Sequence, residues 1–232
     1  MKLLFNGKTK DVFDLEDGTY LLRFKDDATG VDGVFDPGAN TVGLTVAGMG
    51  AAGLRLTEFF FGKIEAAGFA THFVRADLGK AEMVVRPAEV FGKGIEVICR
   101  YRAVGSFLRR YEMYASSGDR LDSLVEMTLK DDERGDPFIS RDTLNALGIM
   151  TFDEYDKITA LTVGISQLIR ETLAENDLEL YDIKLEFGRI KPGDGSCESE
   201  IVLIDEISGG NMRVYKNTAP IEPLDLVRLL LG

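Results

Sequence analysis

The segment Leu180-Tyr181-Asp182-Ile183-Lys184-Leu185-Glu186-Phe187-Gly188 alternates charged with apolar residues. A second apolar run, Val202-Leu203-Ile204, ends on the acidic pair Asp205-Glu206. Side chains leave a β-strand on opposite faces with a period of two. Asp182, Lys184 and Glu186 therefore share one face of a predicted strand. Two carboxylates and a lysine on one strand face, with an acidic strand end nearby, suit a site for a metal-bound nucleotide better than a passive surface.

The rest of the chain narrows the setting. Its 232 residues, 45% of them hydrophobic, suffice for a substantial core in one large or two small domains. There are 27 Lys plus Arg against 39 Asp plus Glu, a formal net charge of -12. That balance argues against nucleic-acid binding, which needs basic surface to displace counterions. It still allows a local positive pocket for an anionic small substrate. Cys99 and Cys197 lie far apart, too few for a disulfide framework or a cysteine zinc site, which points to a reduced, cytoplasmic location. We expect no signal peptide, and no apolar run reaches membrane-spanning length. His72, the only histidine, reads as a structural residue in a buried strand over residues 70–74.

Organisation along the chain suggests a β-rich first lobe and a larger α/β second lobe, with a composition shift near residues 76–81. Glu16-Asp17-Gly18 is a hairpin signal between strands at 11–15 and 19–24, and Asp36-Pro37-Gly38 marks another turn. A helix is predicted over 54–67, with Leu54, Phe59, Phe61 and Ile64 available for packing. Strands follow at 83–85 and 95–99, and a short helix begins near Ser106. In the helix predicted over 153–176, Ile158, Leu161, Ile165, Leu168 and Leu173 recur at helical spacing as core residues. The strand at 200–207 is joined to the opening strand by a hairpin through 191–195. The apolar segment 224–231 is a short helix that packs on its own domain or on another subunit.

Three motifs offer further chemistry. In Gly7-Lys8-Thr9-Lys10, two lysines on alternate residues can reach over phosphates, although the Walker spacing is absent. In Arg100-Tyr101-Arg102-Ala103-Val104-Gly105-Ser106, Gly105 permits close backbone approach and Arg100 can grip a carboxylate or phosphate through two parallel hydrogen bonds. Lys130-Asp131-Asp132-Glu133-Arg134-Gly135-Asp136-Pro137 is dense in charge, and Asp136 before proline is expected in an extended conformation.

Together these blocks resemble the SAICAR synthetase (phosphoribosylaminoimidazole-succinocarboxamide synthase) family. Phe24-Lys25-Asp26-Asp27-Ala28-Thr29, Gly68 through Phe73, and Asp205 through Arg213 extend the resemblance in the family's order across nearly the whole chain. The resemblance implies an α+β fold of two lobes with antiparallel sheets and a nucleotide site between the lobes, similar to kinase and ATP-grasp sites. Residues 1–79 would form the ATP-binding lobe and 80–232 the substrate and magnesium lobe. It also implies an ATP-dependent ligase that joins L-aspartate to the carboxylate of carboxyaminoimidazole ribotide (CAIR) in purine biosynthesis, with Mg2+ as cofactor and a homodimer as the assembly. Carried over by position, Lys8, Lys10, Glu186 and Asp205 are implied to bind nucleotide, the two carboxylates through magnesium. Arg100, Ser106 and Arg213 are implied substrate anchors, and Asp136, Asp182 and Lys184 surround the reacting carboxylate. Two alternatives keep the phosphate chemistry: a paralogous ligase with another acid or amine, and a non-catalytic nucleotide-binding protein.

The chain departs from the family pattern in three places. Gly209-Gly210 replaces Pro-Asp after Ser208, which should loosen that loop. Tyr215-Lys216 replaces Trp-Asp. Met49-Gly50 and Gly53-Leu54 stand where Lys-Gly and Asn-Asn are usual.

Overall fold

The expected hairpin forms around Glu16-Asp17-Gly18. Glu16 and Gly18 take positive φ (62° and 87°), and the Asp17 carboxylate accepts from the Thr19 amide and hydroxyl. The turn joins Lys10–Asp14 (β2) to Tyr20–Phe24 (β3), and Lys2–Asn6 (β1) lies along the other edge of β2. The computed structural model describes residues 1–31, 33–36, 38, 41–191 and 199–232. Next come the strands Asp27–Val31 (β4), Val34–Phe35 (β5) and Val42–Thr45 (β6), which pair in the order β5-β4-β6, and helix α1, Met49–Ala66. Phe73–Asp77 (β7) and Glu82–Val85 (β8) complete the first antiparallel sheet, ordered β1-β2-β3-β8-β7. That sheet thus runs to Val85, past the division expected near residue 79.

Helix α1 begins ahead of the predicted start at residue 54 because its cap comes from a distant strand end. Asp26 accepts hydrogen bonds from the amides of Gly48 and Gly50. A carboxylate there satisfies amide donors that a helix start leaves open. Leu54, Phe60, Phe61 and Ile64 of α1 are fully buried.

The second sheet has seven strands: Glu89–Val90 (β9), Ile95–Arg102 (β10), Arg120–Leu129 (β11), Glu179–Ile190 (β12), Glu200–Ile204 (β13), Met212–Lys216 (β14) and Ala219–Pro220 (β15). The main path is β11-β10-β12-β14-β15, with β13 and β9 pairing along the far half of β12. Helix α2, Ser106–Tyr111, follows β10, and a 3-10 turn at Asp132–Arg134 follows β11. Helices α3, Arg141–Ala146, and α4, Phe152–Ala174, lead into β12, and α5, Pro223–Leu231, comes last. The pairing of β12 with β13 agrees with the expected hairpin, although most of its connecting turn, and Cys197, lie outside the described residues. All strand pairs among the described elements are antiparallel, as the α+β reading expects.

One continuous core joins the two sheets. Ile158, Ile165, Ile169 and Leu173 of α4 meet Val97, Cys99, Met127, Ile183 and Leu185 of the second sheet. The same cluster takes in Leu22, Phe24 and Met83 of the first sheet. Backbone bonds from His72 N to Leu203 O and from Leu203 N to Ala70 O stitch the sheets together. No helix among the described residues is long and apolar enough to cross a membrane.

Helix α4 opens with a capping box, Thr151 and Glu154 satisfying each other's backbone amides. Replacing Ile165, which is 1% exposed, by alanine should cost about 2–5 kcal/mol through a cavity at the centre of the core. Thr151→Ala should cost only about 1 kcal/mol. Urea unfolding of the two variants measures that ordering.

Candidate active site

The strand register builds a charged face on the second sheet. Arg100 lies opposite Asp182, Ile98 opposite Lys184 and Glu96 opposite Glu186. On the flanking strands, Glu126 faces Ile98, Thr128 faces Glu96, and Arg213 faces Asp182. Directly opposed residues of antiparallel strands project to the same side. The intervening residues point the other way into the core against α4. A single alternation thus serves folding on one face and chemistry on the other.

A cavity of about 470 Å³ lies between this face and the first sheet. Part of its wall is apolar, from Val12, Leu22, Phe24, Ala28 and Leu56; the rest carries Lys8, Lys10, Lys130, Lys184, Glu186, Asp205 and Glu206. Every ammonium group is held by a carboxylate. Lys10 Nζ lies 2.9 Å from Asp205 Oδ1 and 2.7 Å from Glu206 Oε1. Lys130 Nζ lies 2.6 Å from Glu186 Oε1, and Lys184 Nζ lies 2.6 Å from Glu96 Oε1. Lys8 reaches Asp132 at 2.5 Å, across from β1 and β2 to the 3-10 turn.

These pairs set the charge states. Burial disfavours the Asp205 carboxylate, but Lys10 and Lys130 outweigh it and hold its pKa down to about 2. Burial raises Glu186, and the nearby Asp205 charge raises it further, while Lys130 opposes both. Two carboxylates therefore stand close enough to repel each other. Asp205 adopts a left-handed conformation (φ 68°) just beyond β13, an uncommon backbone for a non-glycine residue. Its carbonyl accepts a hydrogen bond from His72 Nε2 at 3.3 Å. Burial pushes His72 down to about 4, so it is neutral at pH 7 and acts as a structural donor.

A second cavity of about 280 Å³ adjoins the first and shares Glu96, Asp136, Lys184 and Asn211 with it. Arg100, 2% exposed, donates from Nε to Glu126 (2.7 Å), from Nη1 to Asp182 (3.0 Å) and from Nη2 to Ser106 Oγ (2.9 Å). Arg213 reaches Asp182 at 2.8 Å and Asp36 at 2.9 Å. Gly105 (φ 55°) precedes α2, and a β-carbon there would lie 2.8 Å from the Arg213 guanidinium. Only glycine lets the helix start this close to the arginine.

The arrangement places a cavity suited to a polyphosphate beside one suited to an anionic organic acid. A family model for SAICAR synthetase matches residues 3–225. The chain belongs to the SAICAR synthetase family. Phosphoribosylaminoimidazole-succinocarboxamide synthase of Clostridium tetani (strain Massachusetts / E88) is 56% identical over 231 residues, covering 100% of each chain. A solved SAICAR synthetase (Type-2) in complex with ADP is 30% identical with TM-score 0.80, over 94% of this chain and 87% of that chain. The phosphoribosylaminoimidazole-succinocarboxamide synthase structure from Ehrlichia chaffeensis is 26% identical with TM-score 0.82, over 100% of this chain and 92% of that one.

Every residue that the SAICAR synthetase resemblance singled out lines one of the two cavities. Lys8, Lys10, Glu186 and Asp205 line the first, Arg100, Ser106, Asp182 and Arg213 the second, and Asp136 and Lys184 both. Asp136 is not extended as expected but left-handed (φ 49°), following Gly135 at φ 71°. The loop closes on itself there, with the Asp136 amide on Asp131 O and the Asp131 amide on Asp136 Oδ1. Proline disfavours the right-handed helical region for its predecessor, and the left-handed turn avoids that region too.

The departures from the family pattern sort differently from expectation. Gly209-Gly210 does not form a loose loop. Ser208 N donates to Asn211 Oδ1, Gly210 N to Ser208 Oγ, Asn211 N to Ser208 O, and Asn211 Nδ2 to Glu206 O. Gly209 is buried, and a β-carbon on it would lie 2.6 Å from the Pro223 side chain of α5. Tyr215 and Lys216 line neither cavity. Tyr215 stacks on Tyr181 at 3.7 Å, and Lys216 reaches the Asn176 carbonyl. Met49, Gly50 and Gly53 do line the first cavity.

Sequence reasoning missed Glu96, Asp36, Glu126 and Asn211, and gave no role to Lys130 or Glu206. Glu96 had a readable signal, as the single charge within the apolar strand 95–99. Asp36 had none, because its partner Arg213 is remote in sequence. Gly209→Ala should destabilise the protein by about 1–3 kcal/mol by overpacking against Pro223. Gly210→Ala should cost less, since its nearest neighbour is the movable Ser208 hydroxyl at 3.2 Å. Thermal unfolding of the two variants checks this.

Proposed function

We propose that this chain joins L-aspartate to the carboxylate of CAIR at the expense of ATP, giving the succinocarboxamide, ADP and phosphate in purine biosynthesis. The observation that carries the reading is the common wall of Glu96, Asp136, Lys184 and Asn211, where a lysine-rich nucleotide-sized cavity meets a second cavity lined with arginines. A carboxylate is a poor electrophile. A CAIR carboxylate oxygen attacks the γ-phosphorus, and the bond to the bridging oxygen breaks to release ADP. The aspartate amine then attacks the acyl carbon and loses a proton, and phosphate leaves with the former carboxylate oxygen.

The protein's task is to align these groups and offset negative charge. Lys8 and Lys10 face the polyphosphate, joined by Lys130. Lys184 stands on the common wall, where the activated carboxylate forms. Asp136 orients the acid substrate from the same wall. Asp182 holds Arg100 and Arg213 in place, and Ser106 fixes the third arm of Arg100.

Glu186 and Asp205 fit a magnesium ion. They are partly buried carboxylates that repel each other, and the ion takes oxygen ligands while leaving most positions to phosphate and water. Among the described residues there is no group of three or more potential metal-ligating side chains, so phosphate oxygens would complete the set. When bound, the ion would neutralise charge on the phosphates. A cytoplasmic homodimer is part of the same proposal. Cys99, a buried free thiol, suits a reducing compartment. The apolar row Leu3, Leu4 and Phe5 on the edge strand β1 offers a surface for a second copy, whereas α5 packs on α1 of its own chain.

Purified protein given CAIR, Mg-ATP and aspartate should form the succinocarboxamide and ADP in equal amounts. ATP turnover with another acid or amine but not with these would favour a paralogous ligase. No turnover with any acid and amine would favour a nucleotide-binding protein without catalysis. Asp205→Asn should lower kcat by about a hundredfold or more. Its fold should persist, because Lys10 retains Glu206. Steady-state kinetics with circular dichroism of the variant measures both.

A further inference from the structure

Lys25 lines the first cavity with Lys8 and Lys10, but its ammonium group is taken up inside its own lobe. Nζ donates to Asn6 Oδ1 at 3.1 Å and to the Gly7 carbonyl at 2.8 Å, and it pairs with Asp11 Oδ1 at 2.6 Å. An ammonium group has three donors, and three oxygens already surround this one. The three oxygens share a location. Asn6 and Asp11 are the last cross-strand pair of β1 and β2, and Gly7 opens the loop that joins them. Lys25 therefore closes the base of the loop that carries Lys8.

The loop needs such a closure. All five residues of β1 are exposed, and among the described strands β1 pairs only with β2. The turn is tight: Gly7 N donates to Lys10 O at 2.9 Å, and a β-carbon on Gly7 would lie 2.5 Å from that oxygen. Lys10 is fixed separately, by its register opposite Phe24 and by Asp205 and Glu206. Lys8 makes a half-exposed pair with Asp132 across the cavity. Lys25, by contrast, stands on firm backbone. Its amide donates to Thr9 O at 2.8 Å, it directly follows β3, and the next residue, Asp26, caps α1. We infer that Lys25 is a positioning residue of the nucleotide site, whose ammonium group pins the loop to the first sheet and so aims Lys8 at the polyphosphate. The role of Lys8 rests on the ligase reading, but the effect on nucleotide affinity can be measured apart from ligation.

Calorimetric titration with ADP in the presence of magnesium compares wild type with K25M, K25R and D11A. K25M should bind ADP about three- to tenfold more weakly than wild type, and K25R should fall between. D11A should also bind more weakly, although Asp11 lines neither cavity. A direct phosphate contact by Lys25 predicts the opposite sign for D11A, because loss of Asp11 would release the ammonium group to the nucleotide. The double variant K8A/K25M should bind no more weakly than K8A, since Lys25 acts through Lys8. In turnover, K25M should raise KM for ATP by the factor seen in the titration and leave KM for CAIR unchanged. Circular dichroism should show all variants folded, because β1 is an exposed edge strand. ADP affinity unchanged in K25M, unchanged or tighter in D11A, or additive losses in the double variant would overturn the inference. Failure of wild type to form the succinocarboxamide would count against the ligase reading, while the ADP titration would still decide the role of Lys25.

Discussion

The site depends on a chain of paired charges, buried at its centre, running across one face of the second sheet. Asp36, Arg213, Asp182, Arg100, Glu126 and Arg110 alternate in sign, each within ion-pair distance of the next. Each inner member has two partners of opposite sign, so the chain holds every guanidinium and carboxylate at its centre from both sides. The order of the chain follows from strand register. Arg100 meets Asp182 because β10 and β12 are antiparallel in that register, and Arg213 meets Asp182 from β14 on the other side. A slip of one residue on β12 would turn Asp182, Lys184 and Glu186 into the core and Ile183 and Leu185 out of it. The hydrophobic contacts of α4 on the far face therefore fix the geometry of the polar one.

Much of this was legible in the sequence because it rests on short-range periodicity. The alternation over residues 180–188 located the charged face, and the helical spacing of Ile158, Ile165 and Leu173 located the element that buries the opposite face. The Asp-Gly turn placed the first hairpin. Features that depend on long-range pairing were not legible. The start of α1 is set by Asp26, and Arg213 is partly set by Asp36, neither of which leaves a local pattern. Asp136 was misjudged because the bias of a residue before proline is a local rule. Here the loop's own hydrogen bonds select the left-handed turn.

The altered loop after Asp205 shows how composition can mislead. Two adjacent glycines suggest freedom, yet the turn from Ser208 to Asn211 is closed by its own hydrogen bonds and wedged against Pro223. Asn211 supplies both an acceptor and a donor to that turn, and it also stands on the wall between the two cavities. The glycine at 209 is a packing requirement set by α5. Tyr215 stacks on Tyr181 and Lys216 reaches the Asn176 carbonyl, and neither lines either cavity.

In the proposed ligation the two cavities act together, and a carboxylate of the acid substrate is phosphorylated across their common wall. The most direct measurement uses CAIR carrying oxygen-18 in its carboxylate, with unlabelled ATP and aspartate. Mass spectrometry of the released phosphate should find one labelled oxygen per succinocarboxamide formed. Phosphate released without label would contradict the claim, because the carboxylate oxygen would then not have attacked the γ-phosphorus.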